Sequence, residues 1–126
     1  MSVGDLLKKA NQLKREDKWD EAIKLYYKII EVAPHLLWTY LSLGDTLIKQ
    51  GKFDEAIACY SESLKINPNS AWSFYSLGEV FAQQGNFKEA IGCLQKAIQV
   101  KPDCYKFYNS LGWAFTQKRK FNEAIT

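Results

Sequence analysis

The phrase DKWDEAI at residues 17–23 returns as GKFDEAI at 51–57, GNFKEAI at 85–91 and RKFNEAI at 119–125. Each copy begins 34 residues after the one before, and no insertion breaks the register. A fixed period of this length restricts the chain to stacked supersecondary units, each covering its neighbour's apolar face. The rest of the sequence keeps the same period. Proline recurs at Pro34, Pro68 and Pro102, and alanine at Ala22, Ala56, Ala90 and Ala124. A small residue recurs at Ala10, Gly44, Gly78 and Gly112, and an aromatic at Trp19, Phe53, Phe87 and Phe121. The frame divides one domain spanning 1–126 into repeats 3–36, 37–70, 71–104 and 105–126, the last truncated.

Within one unit the apolar spacing predicts two helices and no strand. Tyr40, Leu43, Gly44 and Leu47 follow the i, i+3, i+4, i+7 rule of one buried helical face. Gly51 stops that helix, because glycine accepts the left-handed conformation at a helix C-terminus. Phe53, Ala56, Ile57, Tyr60 and Leu64 begin a second helical face. Pro68 cannot continue it and disfavours helical geometry at Asn67. Asn69 or Ser70 then caps the next helix. Gly44, Gly78 and Gly112 are expected to let the second helix approach closely, with Ala56, Ala90 and Ala124 opposite them. In the fourth unit the second helix is expected to begin near Phe121, leaving Leu111 and Phe115 only partly covered. That open edge suggests self-association, or a longer array.

The pattern W/F/Y-x2-L-G-x2-Y/F, followed by A, an aromatic, A and P over 34 residues, resembles the tetratricopeptide repeat. Phe74, Leu77, Gly78, Phe81, Ala90, Ala97 and Pro102 carry it in the third unit, with Leu94 in place of the later aromatic. Tyr40, Leu43, Gly44, Ala56, Tyr60 and Pro68 carry it in the second, where Leu47 and Ser63 depart from the family pattern. The first unit is degenerate early, with Lys9 at an apolar position, as suits a terminal repeat. The resemblance implies an all-α fold, a right-handed α–α superhelix of antiparallel helix pairs.

Chemistry is sparse. Asp20–Glu21 and Asp54–Glu55 are adjacent acids in a helical first turn, replaced by Lys88–Glu89 and Asn122–Glu123 in the other copies. Only the glutamate recurs, and an acid there offsets the helix dipole; Asn86 and Glu89 also have capping-box spacing. His35 is the one histidine and follows Pro34 without a partner motif. Cys59, Cys93 and Cys104 have neither disulfide-framework nor zinc spacing, and read as small packing residues in a reducing, cytoplasmic setting. No glycine-rich phosphate loop is present. A net charge of +3 is too small to argue for nucleic acid, and no apolar run is long enough for a membrane span. The reading is therefore no enzyme, no cofactor and no metal. Lys118, Arg119 and Lys120 read as a solvated turn.

The resemblance further implies that first helices line a concave groove that binds a protein or peptide partner. The groove positions are Trp38, Leu41, Asp45 and Lys49 in the second unit, then Trp72, Tyr75, Glu79, Ala82 and Gln83 in the third. Asn109 and Trp113 belong to the fourth. Trp38 and Trp72 are either exposed anchors or pack against a neighbouring first helix. Asp45 and Glu79 make the groove acidic, favouring a partner with apolar anchors and a basic or amide-rich stretch. The cationic clamp by which relatives grip acidic chaperone tails maps to Leu7, Asn11, Ser42, Trp72 and Ser76, or one unit later to Leu41, Asp45, Ser76, Lys106 and Ser110. Lys106 is the one cation in either set. A docking or regulatory segment of a larger group transferase is the alternative function.

Overall fold

The computed structural model describes residues 1–125, without the side chain of Ile125. The described residues form an all-α helical-repeat fold of α1 (Val3–Arg15), α2 (Trp19–Val32), α3 (Leu37–Lys49), α4 (Phe53–Ile66), α5 (Ala71–Gln83), α6 (Phe87–Val100) and α7 (Tyr105–Ile125). Two compact units contain them, Met1–Pro68 and Asn69–Thr126.

In the first unit, α1–α2 and α3–α4 are hairpins closed by one device. Gly51 has φ 75° and Asp17 has φ 61°, the left-handed region that glycine and aspartate tolerate best. Beyond the end of α3 the Gly51 N–H donates to the Ile48 carbonyl (2.9 Å) and the Lys52 N–H to the Leu47 carbonyl (2.9 Å). Asp17 and Lys18 repeat both bonds onto Lys14 and Leu13. This Schellman geometry satisfies carbonyls that the helix end would leave open. The second helices end differently: Ala33 and Asn67 leave helical geometry before Pro34 and Pro68, Asn67 in the extended region. Tyr40 Oη donates to the Pro34 carbonyl at 3.2 Å, tying α3 to the turn before it.

The core of this unit holds Ala10, Ala22, Tyr26, Ile29, Leu43, Leu47, Ala56 and Tyr60. Two buried tyrosines keep their hydroxyls satisfied by reaching the first helix of their own repeat. Tyr26 Oη donates to Asn11 Oδ1 and Tyr60 Oη to Asp45 Oδ1, each at 2.5 Å. The ring of Tyr60 occupies the space over Gly44, where a Cβ would lie 2.5 Å from it. The close neighbour of that glycine is thus a side chain, where the sequence suggested Ala56.

In the second unit, Ser70 caps α5 by accepting the Ser73 N–H at 3.3 Å. Asn86 occupies the cap position of α6 but makes no side-chain capping bond, so the capping box suggested by its spacing with Glu89 is not formed. Gly85 (φ 81°) closes the α5–α6 hairpin, and a Cβ on Gly78 would lie 2.8 Å from Leu94 Cγ and 3.2 Å from the Ala90 carbonyl.

The fourth repeat departs from expectation. α7 runs unbroken for 21 residues, through the Lys118–Lys120 stretch where a turn and a new helix were anticipated. The left-handed position of the other hairpins, Asp17, Gly51 and Gly85, is here Arg119. Arginine pays roughly 1–2 kcal/mol for that conformation. Continuing the helix is cheaper. Ala124 is consequently exposed, whereas Ala22, Ala56 and Ala90 are fully buried.

Candidate peptide-binding surface

The groove positions fall on first helices in both units, and they differ in what already holds them. On α3, Trp38 is 61% exposed, Lys49 is exposed and Leu41 is buried. Asp45 is engaged twice: Oδ1 accepts the Tyr60 hydroxyl, and Oδ2 stands 3.5 Å from Lys14 Nζ of α1. Its charge is partly answered, which the sequence reading did not anticipate. The clue was present, since Asn11 and Asp45, like Tyr26 and Tyr60, stand one period apart. Burial, then the neighbouring Asp45 carboxylate, raises the Tyr60 phenol far above its usual range. Burial likewise lifts the Cys59 thiol to about 11, so it is a packed group rather than a reactive one.

In the second unit Trp72 and Tyr75 lie on α5 and turn inward. Trp72 meets the Phe107 ring of α7 edge-on at 5.2 Å and Tyr75 at 5.6 Å, while Tyr75 and Phe107 stand 5.1 Å apart. Phe107 is fully buried at the centre of this ring cluster. The same register position holds Thr39 and Ser73 in the preceding repeats, both also buried. The two equivalent tryptophans differ in setting, Trp72 packing against Phe107 in a core and Trp38 facing solvent.

Between α5 and α7 lies an open recess of about 360 Å³, lined by Glu79, Ala82, Gln83, Asn109, Ser110 and Trp113. It brings together five of the groove residues read from the sequence, Glu79, Ala82, Gln83, Asn109 and Trp113. Trp113 is half exposed, and its ring stands 6.2 Å from Phe87 in an edge-on arrangement. Glu79 corresponds to Asp45, but Leu94 replaces the tyrosine that would bond to it. Among the described residues it makes no hydrogen bond or ion pair. The recess thus combines an aromatic wall, two amides, a hydroxyl and an uncommitted carboxylate. Ser110 belongs to this set and was missed as a groove residue, because the family frame assigns its position to the chaperone-tail clamp.

Among the described residues no cluster of His, Cys, Asp and Glu could hold a metal ion, and no helix is long and apolar enough to cross a membrane. The three cysteines are free.

Residues 44–85 match the family described as TPR repeat, and residues 71–104 match the tetratricopeptide repeat. No curated protein matches the chain. Among solved structures, the first TPR of Spaghetti (RPAP3), bound to the HSP90 peptide SRMEEVD, is similar over 90% of each chain, with a TM-score of 0.85 and 18% identity. The Yersinia enterocolitica type III secretion chaperone SycD, in complex with a peptide of the translocator YopD, is similar over 94% of this chain and 97% of its own, with a TM-score of 0.86 and 19% identity. At such identities the likeness concerns the fold. The unbroken period, the paired helices and both family matches agree: residues 44–104 carry tetratricopeptide repeats.

Proposed function

We propose that this chain is a non-catalytic interaction module that binds an extended peptide segment of a partner protein on its first helices. The observation that carries this reading is the α5–α7 recess, where Trp113, Asn109 and an uncommitted Glu79 converge. Trp113 and Ala82 suit an apolar side chain, and aromatic anchors of this kind dominate binding energy. Asn109 and Gln83 can bond to a peptide backbone, and Glu79 favours a basic or amide-bearing side chain nearby. In the first unit Trp38 and Lys49, exposed at opposite ends of α3, are apolar and basic contacts of their own. Leu41, Trp72 and Tyr75 act from beneath, as packing that holds these helices in place. Both solved neighbours contain a bound peptide, which agrees with this reading.

Peptides selected on the intact chain from a random library provide the test. Trp113→Ala is expected to weaken the selected peptides by ten- to thirtyfold, the effect of an interface anchor worth about 2 kcal/mol. Glu79→Gln should weaken basic peptides more than neutral ones. Selected peptides that bind both variants as well as the parent would refute the assignment of the recess.

A further inference from the structure

One register position holds an acid in two different settings. Asp45 of α3 has both carboxylate oxygens engaged, Oδ1 by the Tyr60 hydroxyl at 2.5 Å and Oδ2 by Lys14 Nζ of α1 at 3.5 Å. In that unit the chain supplies the cation itself. Glu79 of α5 stands one period after Asp45, where the counterpart of Tyr60 is Leu94 and the counterpart of Lys14 is Ile48. Neither of these side chains has a proton to donate. Glu79 is half-buried all the same. An acid drawn partly out of water attracts a cation more strongly than a fully solvated one, so a cation from outside the chain has an unanswered charge to meet.

The rest of the α5–α7 recess decides which cation fits. No basic residue lines it, and Lys106, one turn before Asn109 and Ser110 on α7, is exposed outside the lining. Around Glu79 stand the acceptor oxygens of Gln83, Asn109 and Ser110, the buried Ala82 and the Trp113 ring. A lysine ammonium would meet the carboxylate as a point charge and give up a tightly held water shell to enter. A guanidinium is planar and more weakly hydrated, and it stacks on aromatic rings. Its fork of N–H groups can bond to a carboxylate and still reach further acceptors beside it. The set of one carboxylate, three neutral acceptors and an indole matches the second group better than the first.

We propose, resting on the peptide-binding reading of this recess, that it is an arginine subsite. The guanidinium of an arginine in the bound segment pairs with the Glu79 carboxylate and lies against the Trp113 indole. Its remaining N–H groups donate to Asn109, Ser110 and Gln83. Glu79 is then the residue that sets specificity, and the first unit lacks such a subsite because Lys14 and Tyr60 already occupy the equivalent carboxylate.

The probe is the tightest peptide selected on the intact chain from a random library, resynthesised with arginine, lysine or citrulline at the enriched position. Citrulline keeps the shape of arginine without its charge. Arginine is expected at one fixed position among the selected peptides. Citrulline there should weaken binding to the parent chain by about tenfold or more, and lysine by about threefold or more. On Glu79→Gln the arginine and citrulline peptides should differ by less than about threefold, the non-additivity of two groups in contact. The three peptides meet one and the same parent chain, so their order does not depend on any variant folding. Three results would overturn the subsite: selected peptides without an arginine preference, lysine or citrulline peptides bound as tightly as arginine, or an equal citrulline penalty on the parent and on Glu79→Gln. If binding in those cases still depends on Trp113, peptide binding in the recess stands and only the arginine assignment falls. A library that yields no peptide at all would remove both.

Discussion

Replacing Gly44 with alanine would put a methyl group 2.5 Å from a Tyr60 ring that is itself buried and bonded to Asp45. The ring has little room to yield, and overpacking of this kind costs about 1–3 kcal/mol. The same replacement at Gly112 meets nothing within 4 Å. There alanine should stabilise by roughly 0.5–1 kcal/mol, the ordinary penalty of glycine inside a helix. Urea denaturation of the two variants is expected to shift in opposite directions. The period in the sequence assigns both glycines one role and cannot separate them, since the difference lies in whether a second helix comes back to cover the site. Trp38 and Trp72 teach the same lesson. Their equivalence was legible, but the burial of Trp72 depends on Phe107, a residue in a different helix.

At the scale of the helices, the hairpins depend on one left-handed residue each. Gly51→Ala leaves open space around the new methyl yet forces φ near 75° on a residue with a Cβ. A loss of about 1–2 kcal/mol in chemical denaturation is expected, from backbone strain alone. The first six helices could be read from apolar spacing, with glycine and proline as stops. The seventh could not be read to its end, because the apolar phrase at 121–125 follows second-helix spacing while Arg119 withholds the turn. Periodicity reports which face of a helix is apolar; it does not report whether the backbone before it can reverse.

For the molecule as a whole, burial of acidic protons ties stability to alkaline pH. The Cys59 thiol rises from its ordinary 9.0 to about 11, and the Tyr60 phenol rises further from 10.0, in both cases chiefly through burial. A group whose folded pKa is raised contributes stability that is complete below its unfolded value and is lost as pH climbs past it. Stability should therefore hold up to about pH 9 and then fall, by roughly 1.4 kcal/mol per pH unit for each such group. Denaturation at pH 8 and pH 10.5 should show a smaller drop in Tyr60→Phe than in the parent chain. An equal drop in both would mean that Tyr60 is not among the groups that titrate on unfolding.

The repeated phrase counts four units, but the residues with positive φ, Asp17, Gly51 and Gly85, count three. Among the described residues the second tally is the number of closed hairpins. An apolar signature thus counts faces, and the residues that let the backbone reverse count hairpins.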